Sequence, residues 1–152
     1  MIAVECYADT RVVLTLGATA AMVDHARGKG QVLDILRNER AVVGVVDEDP
    51  GSSEYPEMRN YRLADQLGGL RLMRHVQADG RRLIVICPRL EEWLLGRAQV
   101  RDVNPENYGL ASDARKLHGS GRYDRKPKFR DFIEALLSVD TELQRLRAWI
   151  LP

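Results

Sequence analysis

Cysteine, histidine and aromatic residues are scarce in this chain, and long apolar runs are missing. Its 152 residues hold two cysteines, three histidines and 6% aromatics. Cys6 and Cys87 are too few for a disulfide framework and lack zinc-ligand spacing, which fits a reduced, cytoplasmic compartment. His25 and His118 fall in no zinc pattern either, so core or surface roles are expected for both. No apolar stretch approaches the ~18 residues of a membrane span, and no charged-then-apolar leader opens the chain. The expectation is a protein that neither crosses a membrane nor is exported. Charge of one sign is also lacking, because 23 basic against 22 acidic side chains leave a formal net charge of +1. Global charge therefore selects no class of partner, and only local clustering can. Internal repeats and low-complexity tracts are absent.

What is there reads as one globular domain over 1–152. Hydrophobic residues make up 45% and charged residues 30%, ordinary proportions for a folded protein. A chain of this length buries a core without staples. A strand is expected over 2–5. Asp9 or Thr10 can cap a helix running through 16, with Val12, Val13 and Leu16 inward. A second strand follows over 21–25, then a turn at Arg27-Gly28-Lys29-Gly30, a helix over 31–38 and a strand over 41–46. This β-α-β-α-β order favours a parallel sheet with right-handed crossovers.

The pattern weakens from 50 to 69, where a loop and a short strand over 61–63 are expected. Residues 70–76 alternate, Asp79-Gly80 signals a hairpin, and 83–87 is a continuous apolar strand stopped by Pro88. Leu90, Trp93 and Leu94 sit at helical spacing in a helix over 90–98. Segment 99–127 reads as a long loop or a loop with a short helix. Two helices close the chain, over 128–137 and 140–150. The fold class is α/β: a Rossmann-like, mostly parallel central sheet flanked by helices (about 1–98), a loop (99–127) and a C-terminal helical pair (128–152).

The most informative segment is Ala41-Val42-Val43-Gly44-Val45-Val46-Asp47-Glu48-Asp49-Pro50. A short β-branched run reads as a buried strand, and open α/β sheets place their chemistry at the carboxyl ends of such strands. Asp47 and Asp49, two apart on extended chain, face the same way and suit a shared hard cation such as Mg²⁺. The competing reading is a plain acidic turn. Glu5 ends the first strand, and Glu91 opens the helix after the strand over 83–87. If those strands are neighbours, four carboxylates converge, and such a cluster stays ionised only with a cation among them.

In order and strand-end context, these elements resemble the Toprim (topoisomerase–primase) domain, over about 2–95. Val4-Glu5-Cys6 matches its glutamate after the first strand, and Val46-Asp47-Glu48-Asp49 its Asp-x-Asp pair after the third. His25-Ala26-Arg27-Gly28-Lys29-Gly30 is similar to a Gly-Lys turn of small stand-alone and nuclease-type members. Cys87-Pro88-Arg89-Leu90-Glu91-Glu92-Trp93 is similar to a Glu-x-Trp segment of compact bacterial members. Cys6 stands where typical members have glycine. The resemblance implies Glu5, Asp47 and Asp49 as catalytic residues and Glu5, Asp47, Asp49 and Glu91 as ligands of Mg²⁺ or Mn²⁺. It also implies a nuclease of the overcoming-lysogenization-defect type, one that can work in phage defence beside a separate ATPase.

Basic residues crowd the stretch from Arg115 to Arg130, with Tyr123 and Phe129 interleaved. Arg122, Arg125, Lys126 and Lys128 are candidates to grip a nucleic-acid backbone. Lys29 reads either as a phosphate contact before a helix N-terminus or as a solvated lysine in a turn. Glu91 and Glu92 either join the site or simply complement the helix dipole. Trp93 reads as a core anchor. The leading expectation is Mg²⁺-dependent hydrolysis of DNA or RNA, with Glu5 accepting a proton from water. The alternatives are a catalytically inactive binding module, which Cys6 favours, and a phosphatase or phosphotransferase on small molecules.

Overall fold

In the computed structural model, which describes residues 1–78 and 80–151, six strands form one mixed sheet. The strands are β1 (Ile2–Val4), β2 (Val23–His25), β3 (Val43–Asp47), β4 (Tyr61–Leu67), β5 (Leu70–His75) and β6 (Arg82–Ile86). They lie in the order β2-β1-β3-β6-β5-β4. The first four in that order are parallel, and β5 and β4 add antiparallel strands at one side. The helices are α1 (Tyr7–Thr15), α2 (Lys29–Arg37), α3 (Leu90–Val100), α4 (Ala114–Gly119), α5 (Pro127–Val139) and α6 (Thr141–Ile150). The α/β class, the mostly parallel sheet and the C-terminal helical pair agree with the sequence reading. The fourth strand runs to Leu67 rather than 63. The 99–127 segment carries α4 and two 3-10 turns. Asp79 of the expected hairpin turn lies outside the described residues. Among the described residues, no helix is long and apolar enough to cross a membrane.

Side-chain alternation along the strands divides the core into two layers. Ile2, Val4, Val43, Val45, Ile84 and Ile86 face α1, α3, α5 and α6, whereas Ala3, Val46, Leu83 and Val85 face α2. The sheet is thus buried on both faces where it is parallel, which explains the continuous apolar runs. Gly44 lets α2 lie directly on β3, since a Cβ there would come within 2.7 Å of Leu36 Cδ1 and 2.9 Å of Val32 Cγ1.

The chain leaves β1 through α1 to β2 on one side, then returns through α2 to β3 on the other side of β1. The strand order therefore reverses between β1 and β3. In open α/β sheets a crevice opens at that reversal, beyond the carboxyl ends of the strands. Glu5 follows β1 and Asp47 ends β3, so both stand at this crevice.

A second polar cluster, away from the crevice, holds the C-terminal helices. Asp140 caps α6 by accepting from the N–H groups of Glu142 (2.9 Å) and Leu143 (3.0 Å). Its other oxygen accepts from Arg97 (2.7 Å) and Arg101 (2.9 Å), and its side chain is fully buried. Glu142 pairs with Arg97 (2.9 Å) and accepts from Trp93 Nε1 (2.7 Å). Trp93 is accordingly a buried anchor, as its helical spacing suggested. Gly68 closes the turn between β4 and β5 at φ 53° against the Glu142 carboxylate.

Candidate active site

Beyond the ends of β1, β3 and β6 lies a cavity of about 540 Å³. Its wall includes Glu5, Asp9, Asp47, Asp49, Glu91 and Glu92, so the four expected acids meet there, joined by two more. The condition on which the sequence argument depended, adjacency of the strands, is met by the order β1-β3-β6.

Backbone groups at the strand ends set the acids in place. Asp47 N–H donates to Glu5 Oε2 at 3.0 Å, tying the ends of β1 and β3 together. Leu90 N–H, in the first turn of α3, donates to Asp47 Oδ1 at 3.0 Å. Such free amides at a helix start attract anions. Asp49 reaches the cavity by a different route from the one expected. The extended chain stops at Asp47; Asp49 sits at φ 52°, with its N–H donating to the Pro88 carbonyl at 3.1 Å. A turn, not strand periodicity, aims its side chain. Its Oδ1 then accepts from Arg89 Nε at 2.7 Å.

Glu91 has a separate set of partners. Its Oε1 accepts from the Tyr123 hydroxyl at 2.8 Å and lies 3.2 Å from His118 Nδ1. Asp9 comes from α1, which begins at Tyr7 rather than at Thr10 because Cys6 takes the cap position. Asp9 is therefore an interior residue of the first turn, buried, with Oδ2 accepting from Cys6 N–H at 3.0 Å.

This crowding shows in the titration of the acids. Burial first, then the charges of Asp9, Glu5, Glu91 and Asp49, push the Asp47 carboxyl up to about 9. Burial, and then Glu5 and Glu91, push Asp9 up to about 7 despite its bonds to Cys6. Burial also raises Glu5, with the Asp47 N–H and the Lys29 ammonium pulling it back. The donor set is all carboxylate oxygen and is short of positive charge, which is the chemistry a hard divalent cation takes. The rotamers are not closed on one point, however. Among the described residues no three His, Cys, Asp or Glu side chains are grouped to hold an ion as they stand. Asp49 would have to leave Arg89 to join Glu5 and Asp47.

The expected phosphate-binding residues are scattered. Lys29 is buried, not solvated, and its Nζ donates to the Glu48 carbonyl at 2.8 Å. It serves Glu5 and the strand-end loop, and it borders a neighbouring hollow of about 410 Å³ on the far side of Asp49. Arg122 is held by both oxygens of Asp124 at 2.8 Å and lies over the Tyr7 ring. Lys126 donates to the Gly109 carbonyl at 2.8 Å. Arg125 and Lys128 are exposed. None of these four borders the cavity; its cations are Arg89 and Arg115. Sequence reasoning missed Asp9, Arg89 and His118 as residues of this cavity, and had Arg115 and Tyr123 only as members of the basic stretch. The only signal for Asp9 was its place one turn after Glu5.

Comparison of the chain with protein-family models, with curated proteins and with solved structures finds no match in any of the three.

Proposed function

We propose that the acid cavity is the centre of a metal-dependent phosphodiester hydrolase acting on DNA or RNA. The observation that carries this reading is the meeting of Glu5 and Asp47 at the strand-order reversal, linked by the 3.0 Å bond from Asp47 N–H to Glu5. It agrees with the Toprim resemblance in which residues meet and at which sheet edge. Glu5, Asp47 and Asp49 are the residues that would hold Mg²⁺ or Mn²⁺. A cation bound there supplies charge neutralisation at the phosphoryl oxygens and lowers the pKa of water.

The chain's own groups have distinct tasks in this reading. Glu5, fixed at the strand end by the Asp47 N–H, would take a proton from the attacking water. Arg89 and Arg115 are the cavity's cations and would receive the phosphate oxygens. Arg89 holds Asp49 until substrate draws it away. Arg125 and Lys128 are exposed cations that can contact a longer backbone beyond the cavity. By the same resemblance, the protein acts in the cytoplasm, in phage defence, beside a separate ATPase.

A second reading is a binding module without turnover. The 2.7 Å Asp49–Arg89 pair favours it, because that pair withdraws one ligand from the set. The test is cleavage of supercoiled plasmid, single-stranded DNA and RNA in Mg²⁺ or Mn²⁺, with Asp49→Asn and Glu5→Gln alongside. Cleavage by the native protein alone supports the hydrolase. Binding without cleavage, weakened in both variants, supports the module, and hydrolysis of p-nitrophenyl phosphate alone moves the substrate to small phosphomonoesters.

A further inference from the structure

His118 is the one histidine among the described residues on the wall of the acid cavity. A short chain of hydrogen bonds reaches it from the core. Tyr123 is buried at 4% exposure, and its hydroxyl donates to Glu91 Oε1 at 2.8 Å. Glu91, with 12% of its side chain exposed, presents the same oxygen to His118 Nδ1 at 3.2 Å, while 78% of the His118 side chain is exposed. The phenol pins the carboxylate and the carboxylate engages Nδ1. A carboxylate beside one ring nitrogen fixes the N–H there and orients the ring. Nε2 is thus the nitrogen that the carboxylate does not engage, on a residue of the cavity wall.

We propose that His118, positioned by Glu91 and Tyr123, is the proton donor to the leaving oxygen in phosphodiester cleavage. This rests on the hydrolase reading above and adds the group that this reading leaves unassigned. Glu5 takes the proton of the attacking water as the new P–O bond forms. The P–O bond to the leaving group breaks, and that oxygen takes the proton from His118 Nε2. Solvent then reprotonates His118 and deprotonates Glu5, so the net reaction is water plus diester to monoester plus alcohol. Glu91 is in this account a positioning residue and not a cation ligand. The charged groups that share the cavity with His118 come from every side: Glu5 and Asp9 beyond β1, Asp47 and Asp49 beyond β3, Arg89 and Glu92 at the start of α3, and Arg115 on its own helix.

The experiment compares two substrates that differ only in their need for a proton donor. One is single-stranded DNA, whose leaving alkoxide must be protonated. The other is bis-p-nitrophenyl phosphate, whose leaving phenolate departs unaided. Native protein, His118→Asn and Glu91→Gln are assayed on both in Mn²⁺, with melting temperatures to show that each variant folds. The expected result for His118→Asn is a loss of roughly 100-fold on DNA, typical of a missing general acid, and little change on the activated ester. Glu91→Gln is expected to lose less, with the same dependence on the leaving group. Equal losses on both substrates, or no loss on either, overturn the proposal while the hydrolase reading stands. If the native protein cleaves neither substrate, both fall together.

Discussion

Replacing Asp47 with asparagine should stabilise the protein in the absence of metal. The Asp47 carboxyl is pushed from its usual 3.8 up to about 9, by burial and then by the charges of Asp9, Glu5, Glu91 and Asp49. A carboxyl raised in this way binds its proton more tightly folded than unfolded. Its contribution to stability is fully present below the unfolded value and is lost as pH rises toward the folded one. At pH 7 the loss has accumulated over the interval from 3.8, at ~1.4 kcal/mol per pH unit, so its upper bound is about 4 kcal/mol. Asparagine keeps an oxygen to accept the 3.0 Å bond from Leu90 N–H and carries no charge. A gain of about 1–3 kcal/mol is expected, which is several degrees of melting temperature for a chain of this size. Thermal unfolding in chelator between pH 5 and 8.5 measures it. The native protein should lose melting temperature as pH rises, and Asp47→Asn should lose less. A variant that melts at or below the native protein, with the same pH slope, would refute the reasoning.

Asp140→Ala removes the partner of Arg97 and Arg101 and the cap of α6 together. The cost should be about 3–5 kcal/mol by urea unfolding, as for other broken buried pairs, and a cost below ~1 kcal/mol would contradict the network. Burial pushes the Asp140 carboxyl up, but bonds from Arg97 and Arg101 outweigh it and hold it below the usual range. Its contribution should therefore be intact above the ordinary carboxylate pKa and disappear as pH falls through the lower folded value. Gly68→Ala meets both a left-handed φ and the Glu142 carboxylate, and should destabilise by about 1–3 kcal/mol, again by urea unfolding. Arg89→Ala frees Asp49 from a half-exposed pair, so Mn²⁺ affinity should tighten by calorimetry, and an unchanged or weaker affinity would contradict competition between Arg89 and the cation.

The architecture was legible where the chain is buried on both sides. The β-branched run ending in Asp47 and the apolar run before Cys87 are strands because α2 covers one face and the other helices cover the second. β4 was cut short because its solvent-facing residues, Arg62 and Gln66, mask the periodicity. Glu5 and Asp47 were legible because strand ends lie next to each other once the strands do. Asp49 was placed at the site for the wrong local reason, since its turn depends on the Pro88 carbonyl, 39 residues away in sequence. Asp9 was hidden because Cys6, a weak capping residue, starts α1 early. In the basic stretch, local charge density does not reveal that Asp124 and the Gly109 carbonyl already engage Arg122 and Lys126. Tyr123 joins the site through Glu91, and His118 lies on its wall beside the same carboxylate, contacts that no spacing rule encodes.

Cation binding is the central requirement of this account, and Mn²⁺ titration followed by electron paramagnetic resonance measures it directly. The native protein at pH 8 should bind Mn²⁺ at the acid cavity, Mg²⁺ should compete, and Glu5→Gln and Asp47→Asn should each abolish the site. Binding that is absent from the native protein, or unchanged in both variants, would contradict a metal-dependent centre at the meeting of β1 and β3.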